Sequence, residues 1–173
     1  MQEEYLTSCC NANKPSEVIG LLMNDPNNEL KLLDKGKLSS KFIRNTNATG
    51  VYEQIYGTCY AYAACSAYIN TIKRIYGSRP PPSFGECFKI AKYNGNNGGS
   101  TKEAVIRLEN HFHYGVQVMQ NDNISIRDIL TLSVIVSFST SKKGWDNVGK
   151  GELMKKPSGE ADGSHSALAE GYD

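Results

Sequence analysis

Gln54-Ile55-Tyr56-Gly57-Thr58-Cys59-Tyr60-Ala61-Tyr62-Ala63-Ala64 opens the most strongly patterned stretch of the chain. From Cys59 to Tyr76, apolar Ala61, Ala64, Tyr68, Ile72 and Ile75 recur at helical spacing, and Gly77 can end the helix. Ala61, Ala63, Ala64, Ser66 and Ala67 are small, so neighbouring elements can approach this backbone closely, as expected of a helix running through the middle of a domain. Cys59 stands where the helix begins, and its sulfur would feel the first-turn amides and the positive end of the helix dipole. Gly57 clears space in front of that sulfur, and the Cys59 amide can help to hold an oxyanion. The same arrangement also fits a cysteine buried as a small apolar residue.

Downstream, Pro80-Pro81-Pro82 forces an extended connection. A short helix is expected over Phe84 to Lys92. The turn Asn94-Gly95-Asn96-Asn97-Gly98-Gly99 then leads into Ser100-Thr101-Lys102-Glu103, a capping box that starts a helix running to about Asn110. Beyond it the pattern changes to strands, at Leu132 to Phe138 and at His165 to Glu170. Helices first and strands later predict an α+β fold. Upstream, short helices are expected over Ser16 to Met23 and Asn28 to Leu33, and Phe42 to Gly50 reads as a loop. Residues 1–49 are set apart as an N-terminal extension without an assigned role, and 50–173 as the patterned domain.

The 173 residues carry 19 basic and 18 acidic side chains, scattered and nearly balanced, which argues against nucleic-acid and anionic-membrane partners. No apolar run reaches the roughly 20 residues of a bilayer span, and Met1-Gln2-Glu3-Glu4 lacks the start of a signal peptide, so an intracellular protein is expected. Five cysteines without a close C-x-x-C pair suggest reduced thiols, and no metal or cofactor is expected. Cys65 and Cys87 read as core residues. His111 and His113 read as helix-end or surface residues. His165 follows Gly163-Ser164 and opens a small-residue strand, where its imidazole would have room at a cleft edge or serve as a structural histidine.

Taken in order, Gln54 to Ala64, Ser83-Phe84-Gly85-Glu86, Gly95-Asn96-Asn97-Gly98-Gly99 and Ser164-His165-Ser166-Ala167-Leu168-Ala169-Glu170-Gly171-Tyr172 resemble the active-site segments of papain-like cysteine peptidases. The segment Trp145 to Leu153 also follows in family order. The resemblance covers roughly residues 50 to 173 and implies a two-lobed α+β fold, with a helical lobe and an antiparallel β-barrel-like lobe incomplete at its C-terminus. It implies that Cys59 is the nucleophile and His165 its proton acceptor, and that Gln54 and the Cys59 amide hold the oxyanion. Gly98 and Gly99 would run beside an extended peptide substrate, and Ala167 would lie near the pocket for the residue two before the cleaved bond.

Several positions depart from that family. Gln54 lies five residues before Cys59 rather than six, Tyr60 stands for the usual Trp, and Ser164 for the usual Asp or Asn. The usual half-cystine positions are Tyr56, Ile90 and Asn96. The Asn that orients the family's histidine would fall beyond Asp173. The expected activity is hydrolysis of peptide bonds, and the alternative is a catalytically impaired homologue that binds peptides or regulates.

Overall fold

In the computed structural model, residues 17–23, 42–43, 54–55, 57–73, 79–120, 124, 128, 132–140, 163–169 and 171–172 are described. They form an α+β arrangement of three helices and a four-stranded antiparallel sheet, with a further two-stranded ladder. The helices are α1 (Cys59–Lys73), α2 (Phe84–Ala91) and α3 (Thr101–Phe112). The strands are β1 (Glu17–Met23), β2 (Phe42–Ile43), β3 (Val116–Gln120), β4 (Ser133–Thr140), β5 (Gly163–Ala169) and β6 (Gly171–Tyr172). The sheet order is β3-β1-β4-β5, and β2 pairs with β6.

α1 is the core helix that its small residues predict. All of it is buried except Tyr62, Ser66 and Lys73, and it packs against α2, α3, β1, β4 and β5. α2 begins at a complete capping box: the Glu86 amide donates to the Ser83 hydroxyl, and the Ser83 amide donates to the Glu86 carboxylate. At α3, Ser100 is the N-cap and accepts from the Glu103 amide at 3.3 Å. The far end of α3 closes at His113, whose φ of 56° is the left-handed cap conformation. Glu109 secures that end, its carboxylate accepting from the Tyr68 hydroxyl at 2.8 Å and the Gly115 amide at 2.6 Å.

Four expectations meet corrections or limits here. Ser16 to Met23 was expected as a helix, but Glu17–Met23 is a strand lying between β3 and β4. The run Val18-Ile19-Gly20-Leu21-Leu22 is apolar on every face, so it has no period to favour either structure, and the partners on both sides decide. Ile19 and Leu21 enter the helix-side core, while Val18 and Leu22 join the second apolar cluster with Leu132, Val134 and Val136. A Cβ at Gly20 would come within 2.8 Å of the Leu132 Cδ1 methyl, so that side chain would have to swing aside to admit one. Phe42 and Ile43, expected in a loop, pair instead with Tyr172 and Gly171. The expected helix over Asn28 to Leu33 and the segment Trp145 to Leu153 lie outside the described residues.

The register of the sheet divides it into two faces. Ile135, Ser137 and Ser133 of β4 turn towards the helices together with Ser166 and Leu168 of β5, whereas Phe138 and Val136 share the other face with His165 and Ala167. Between sheet and helices the contacts are partly polar. The Thr71 hydroxyl, which donates to the Ala67 carbonyl at 2.7 Å, shares a 2.9 Å hydrogen bond with the Ser133 hydroxyl, and Thr101 donates to Ser166 at 3.2 Å.

Candidate active site

The site is built up from the N-terminus of α1. Thr58 is buried, its carbonyl accepts from the amides of Ala61 and Tyr62, and its hydroxyl donates to the Ile55 carbonyl, which closes the turn before the helix. Gly57 has a φ of 57°, a conformation costly for any residue with a Cβ. Cys59 is therefore the first helical residue, and its amide belongs to the group that no carbonyl of the same helix can take. Its side chain is completely buried. Gln54 is partly buried just ahead of the turn.

The glycine-rich turn is docked onto this corner. The Gly98 amide donates to the Gly57 carbonyl at 3.0 Å, and the Gly98 carbonyl accepts from the Asn94 side-chain amide at 2.6 Å. Gly98 is buried and Gly99 only partly so. Gly98 thus uses its amide, and one lone pair of its carbonyl, to hold the turn itself. The positive φ values at Gly95 and Gly98, 61° and 72°, explain the glycines at both positions.

Immediately after this turn comes Thr101, whose hydroxyl reaches Ser166, and Ser166 also shares a 2.8 Å hydrogen bond with Ser137. One short segment, Gly98 to Thr101, is therefore tied to Gly57 on one side and to Ser166 on the other. Gly57 stands two residues before Cys59, and Ser166 is the residue after His165. The Thr71–Ser133 bond fixes the opposite end of α1 at the start of β4, about 18 Å from Cys59 along the helix.

His165 pairs with Phe138 across the β4–β5 ladder, and the two rings meet edge to face at 5.7 Å. It is partly buried. Strand alternation puts it on the face of β5 opposite to Ser166, and among the described residues β5 is the last strand of the four-stranded sheet. Ala167 pairs with Val136 and lies on the histidine's face, so the residue beside His165 that turns towards the helices is Ser166.

No protein-family model matches the chain, and no curated protein or solved structure does either.

The other thiols differ from Cys59 in setting. Cys65 and Cys87 are buried in the core between α1 and α2, and burial, followed by a hydrogen bond between the two, pushes the Cys65 thiol up and keeps it protonated. No disulfide joins Cys59, Cys65 or Cys87. Cys9 and Cys10 lie outside the described residues. His111 is exposed on the last turn of α3 and His113 is the C-cap, as their helix-end reading predicts. Among the described residues, no group of three His, Cys, Asp or Glu could hold a metal ion, and no helix is long and apolar enough to cross a membrane.

Sequence reasoning missed Tyr60, Thr101 and Ser166 as residues that organise this corner. A signal existed for Ser166 in the alternation of Ser133, Ile135 and Ser137 with Val134, Val136 and Phe138, which marks one sheet face as hydroxyl-bearing. Nothing in the sequence pointed to Thr101 as its partner.

Proposed function

We propose that the chain is a papain-like thiol peptidase with the corresponding two-lobed fold, acting on extended peptides. The Cys59 thiolate attacks the scissile carbonyl, and the carbon–sulfur bond forms as the carbonyl oxygen takes negative charge beside Gln54 and the Cys59 amide. The His165 imidazolium then gives its proton to the leaving amine as the carbon–nitrogen bond breaks. Water, deprotonated by the same imidazole, cleaves the thioester and restores the thiol. Gly99 and the carbonyl of Gly98 line the peptide, and Ala167 borders the pocket next to the histidine.

The observation that carries this reading is the double tie of Gly98–Thr101, hydrogen-bonded at one end beside Cys59 and at the other beside His165. It draws together three segments that are far apart in sequence. The location of Cys59 at the first helical position, after a left-handed glycine, adds the electrostatic reason for a thiolate there.

Labelling with a peptidyl epoxide tests it. Covalent label is expected on Cys59, mapped by peptide mass spectrometry, and should fall sharply in His165→Ala. If Cys59 in the folded chain stays unlabelled while the chain still binds peptide, the peptidase reading gives way to a peptide-binding homologue.

A further inference from the structure

We propose that Tyr60 is a positioning residue for peptide binding: its hydroxyl latches the Asn94–Gly99 turn onto the first turn of α1, so that the peptide-binding backbone and the nucleophile are held as one unit. This inference rests on the cleft reading given above and extends it to a residue at which the chain departs from the family it resembles.

Tyr60 directly follows Cys59 and is completely buried. Its hydroxyl works in both directions, accepting from the Asn94 amide at 3.2 Å and donating to the Gly95 carbonyl at 3.1 Å. Burial pushes its pKa upward, against the Asn94 hydrogen bond, so the phenol keeps the proton that it donates. The ring fills the space beside Gly99, where a Cβ would lie 2.8 Å from Cε2, 2.9 Å from Cδ2 and 3.0 Å from Cζ. Tyr93 meets the ring edge to face at 5.5 Å, and its own hydroxyl accepts from the Ser100 amide at 2.8 Å.

The turn is therefore gripped on three sides: by Tyr60 at Asn94 and Gly95, by Gly57 at Gly98, and by Tyr93 at Ser100. Of these, only the Tyr60 grip comes from a side chain of the nucleophile's own helix. Phenylalanine would fill the same space and lose both polar contacts. Tryptophan has one N–H donor and no acceptor, so it can satisfy at most the Gly95 side. The hydroxyl thus supplies a function that neither aromatic alternative reproduces.

The test uses the full chain and fluorescein-labelled casein peptides, with anisotropy measured on the Cys59→Ala protein so that binding is read without turnover. Adding Tyr60→Phe is expected to weaken binding roughly threefold to tenfold, with faster hydrogen exchange at the Asn94 amide. In the chain with Cys59 intact, KM should rise by the same factor while kcat and the iodoacetamide reaction rate stay within about twofold. Tyr60→Trp, which keeps an aromatic ring but can reach only the Gly95 side, should weaken binding in the same direction and decides the matter if Tyr60→Phe does not fold. Peptide binding that is unmoved by these variants overturns the role of Tyr60 alone. Absence of any peptide binding by the folded Cys59→Ala chain overturns the cleft reading, and this inference with it.

Discussion

The flank that carries Cys59 and the flank that carries His165 are held by different kinds of contact. Around Cys59 the hold is mostly backbone: Gly57 in a left-handed conformation, the Gly98-to-Gly57 hydrogen bond, and the first bonds of a helix buried along almost all its length. Around His165 the contacts seen among the described residues include the ladder to β4, the ring contact with Phe138, and a hydroxyl relay through Ser166 to Ser137 and Thr101. Backbone contacts survive most substitutions, whereas a hydroxyl relay is lost with a single oxygen. The position of Cys59 is thus written largely into the backbone, whereas the described ties beside His165 also run through side chains.

On the proposed peptidase reading, the two flanks are broken most severely at Cys59 and His165. Cys59→Ala is expected to lower kcat/KM on a peptide substrate by at least about 10⁴-fold, because no other group on that flank can form the thioester. His165→Ala should cost about 10²- to 10⁴-fold, the usual worth of a positioned acid–base group. Both measurements need a folded variant, shown by an unchanged urea midpoint. A His165→Ala chain that turns over like the wild type would remove the base from the flank to which it is assigned here.

Next in size is the relay. Ser166→Ala removes one hydroxyl and strips a partner from both Thr101 and Ser137, the hydroxyls that it joins. A loss of about 1–3 kcal/mol in urea unfolding is expected, the cost of leaving buried polar groups without partners. If the comparison is right, epoxide labelling of Cys59 by a peptidyl reagent also slows, while alkylation by iodoacetamide does not. Equal effects on both reagents would mean that the relay supports the whole fold and has no special connection to the His165 side.

What was legible beforehand divides along the same line. The helices carried their own signals: small residues in α1, and caps at Ser83 and Ser100 followed three residues later by Glu86 and Glu103. β4 and β5 were visible as an alternating or nearly continuous apolar run and a small-residue run. β1 was misread because an all-apolar segment has no period, and β3 was overlooked although Val116 and Val118 alternate with Gln117 and Met119. The pairing of β1 with both β3 and β4 joins residues about a hundred positions apart, which no local pattern encodes. Within the site, the local features at Cys59 and the glycine-rich turn were readable. The bridge from Thr101 to Ser166 exists only once the sheet and helices have packed.

Titration separates the flanks further. The capping box of α2 includes an ionised group: hydrogen bonds from the Ser83 hydroxyl and amide hold the Glu86 carboxyl below its ordinary value of 4.5. Because the folded value is the lower one, this contact contributes stability above the unfolded carboxyl's pKa, and the contribution is lost as pH falls through the folded value. Ser83→Ala should therefore lower the urea midpoint at pH 7 and lower it less at pH 3. The hydrogen bonds of Ser166 to Thr101 and Ser137 join hydroxyls, which do not titrate between pH 3 and pH 7, so on their account Ser166→Ala should cost the same at both pH values. A pH-dependent cost at Ser166 would reveal a titrating partner on the histidine's side.

The smallest effect is the sharpest in sign. Ser164 precedes His165 on β5 and is buried, yet among the described residues its hydroxyl has no hydrogen-bond partner, unlike that of Ser166 two residues on. It pairs with Ser139 across the ladder and lies on the helix-facing side. A buried hydroxyl that gave up water without gaining a partner is a net cost, so Ser164→Ala should leave stability unchanged or raise it by up to about 1 kcal/mol. Two serines on one strand and one face would then respond in opposite directions to the same substitution. Destabilisation at Ser164 comparable to that at Ser166 would show that its hydroxyl does have a partner, such as an ordered water. The histidine's flank would then be held more firmly than the single relay through Ser166 suggests.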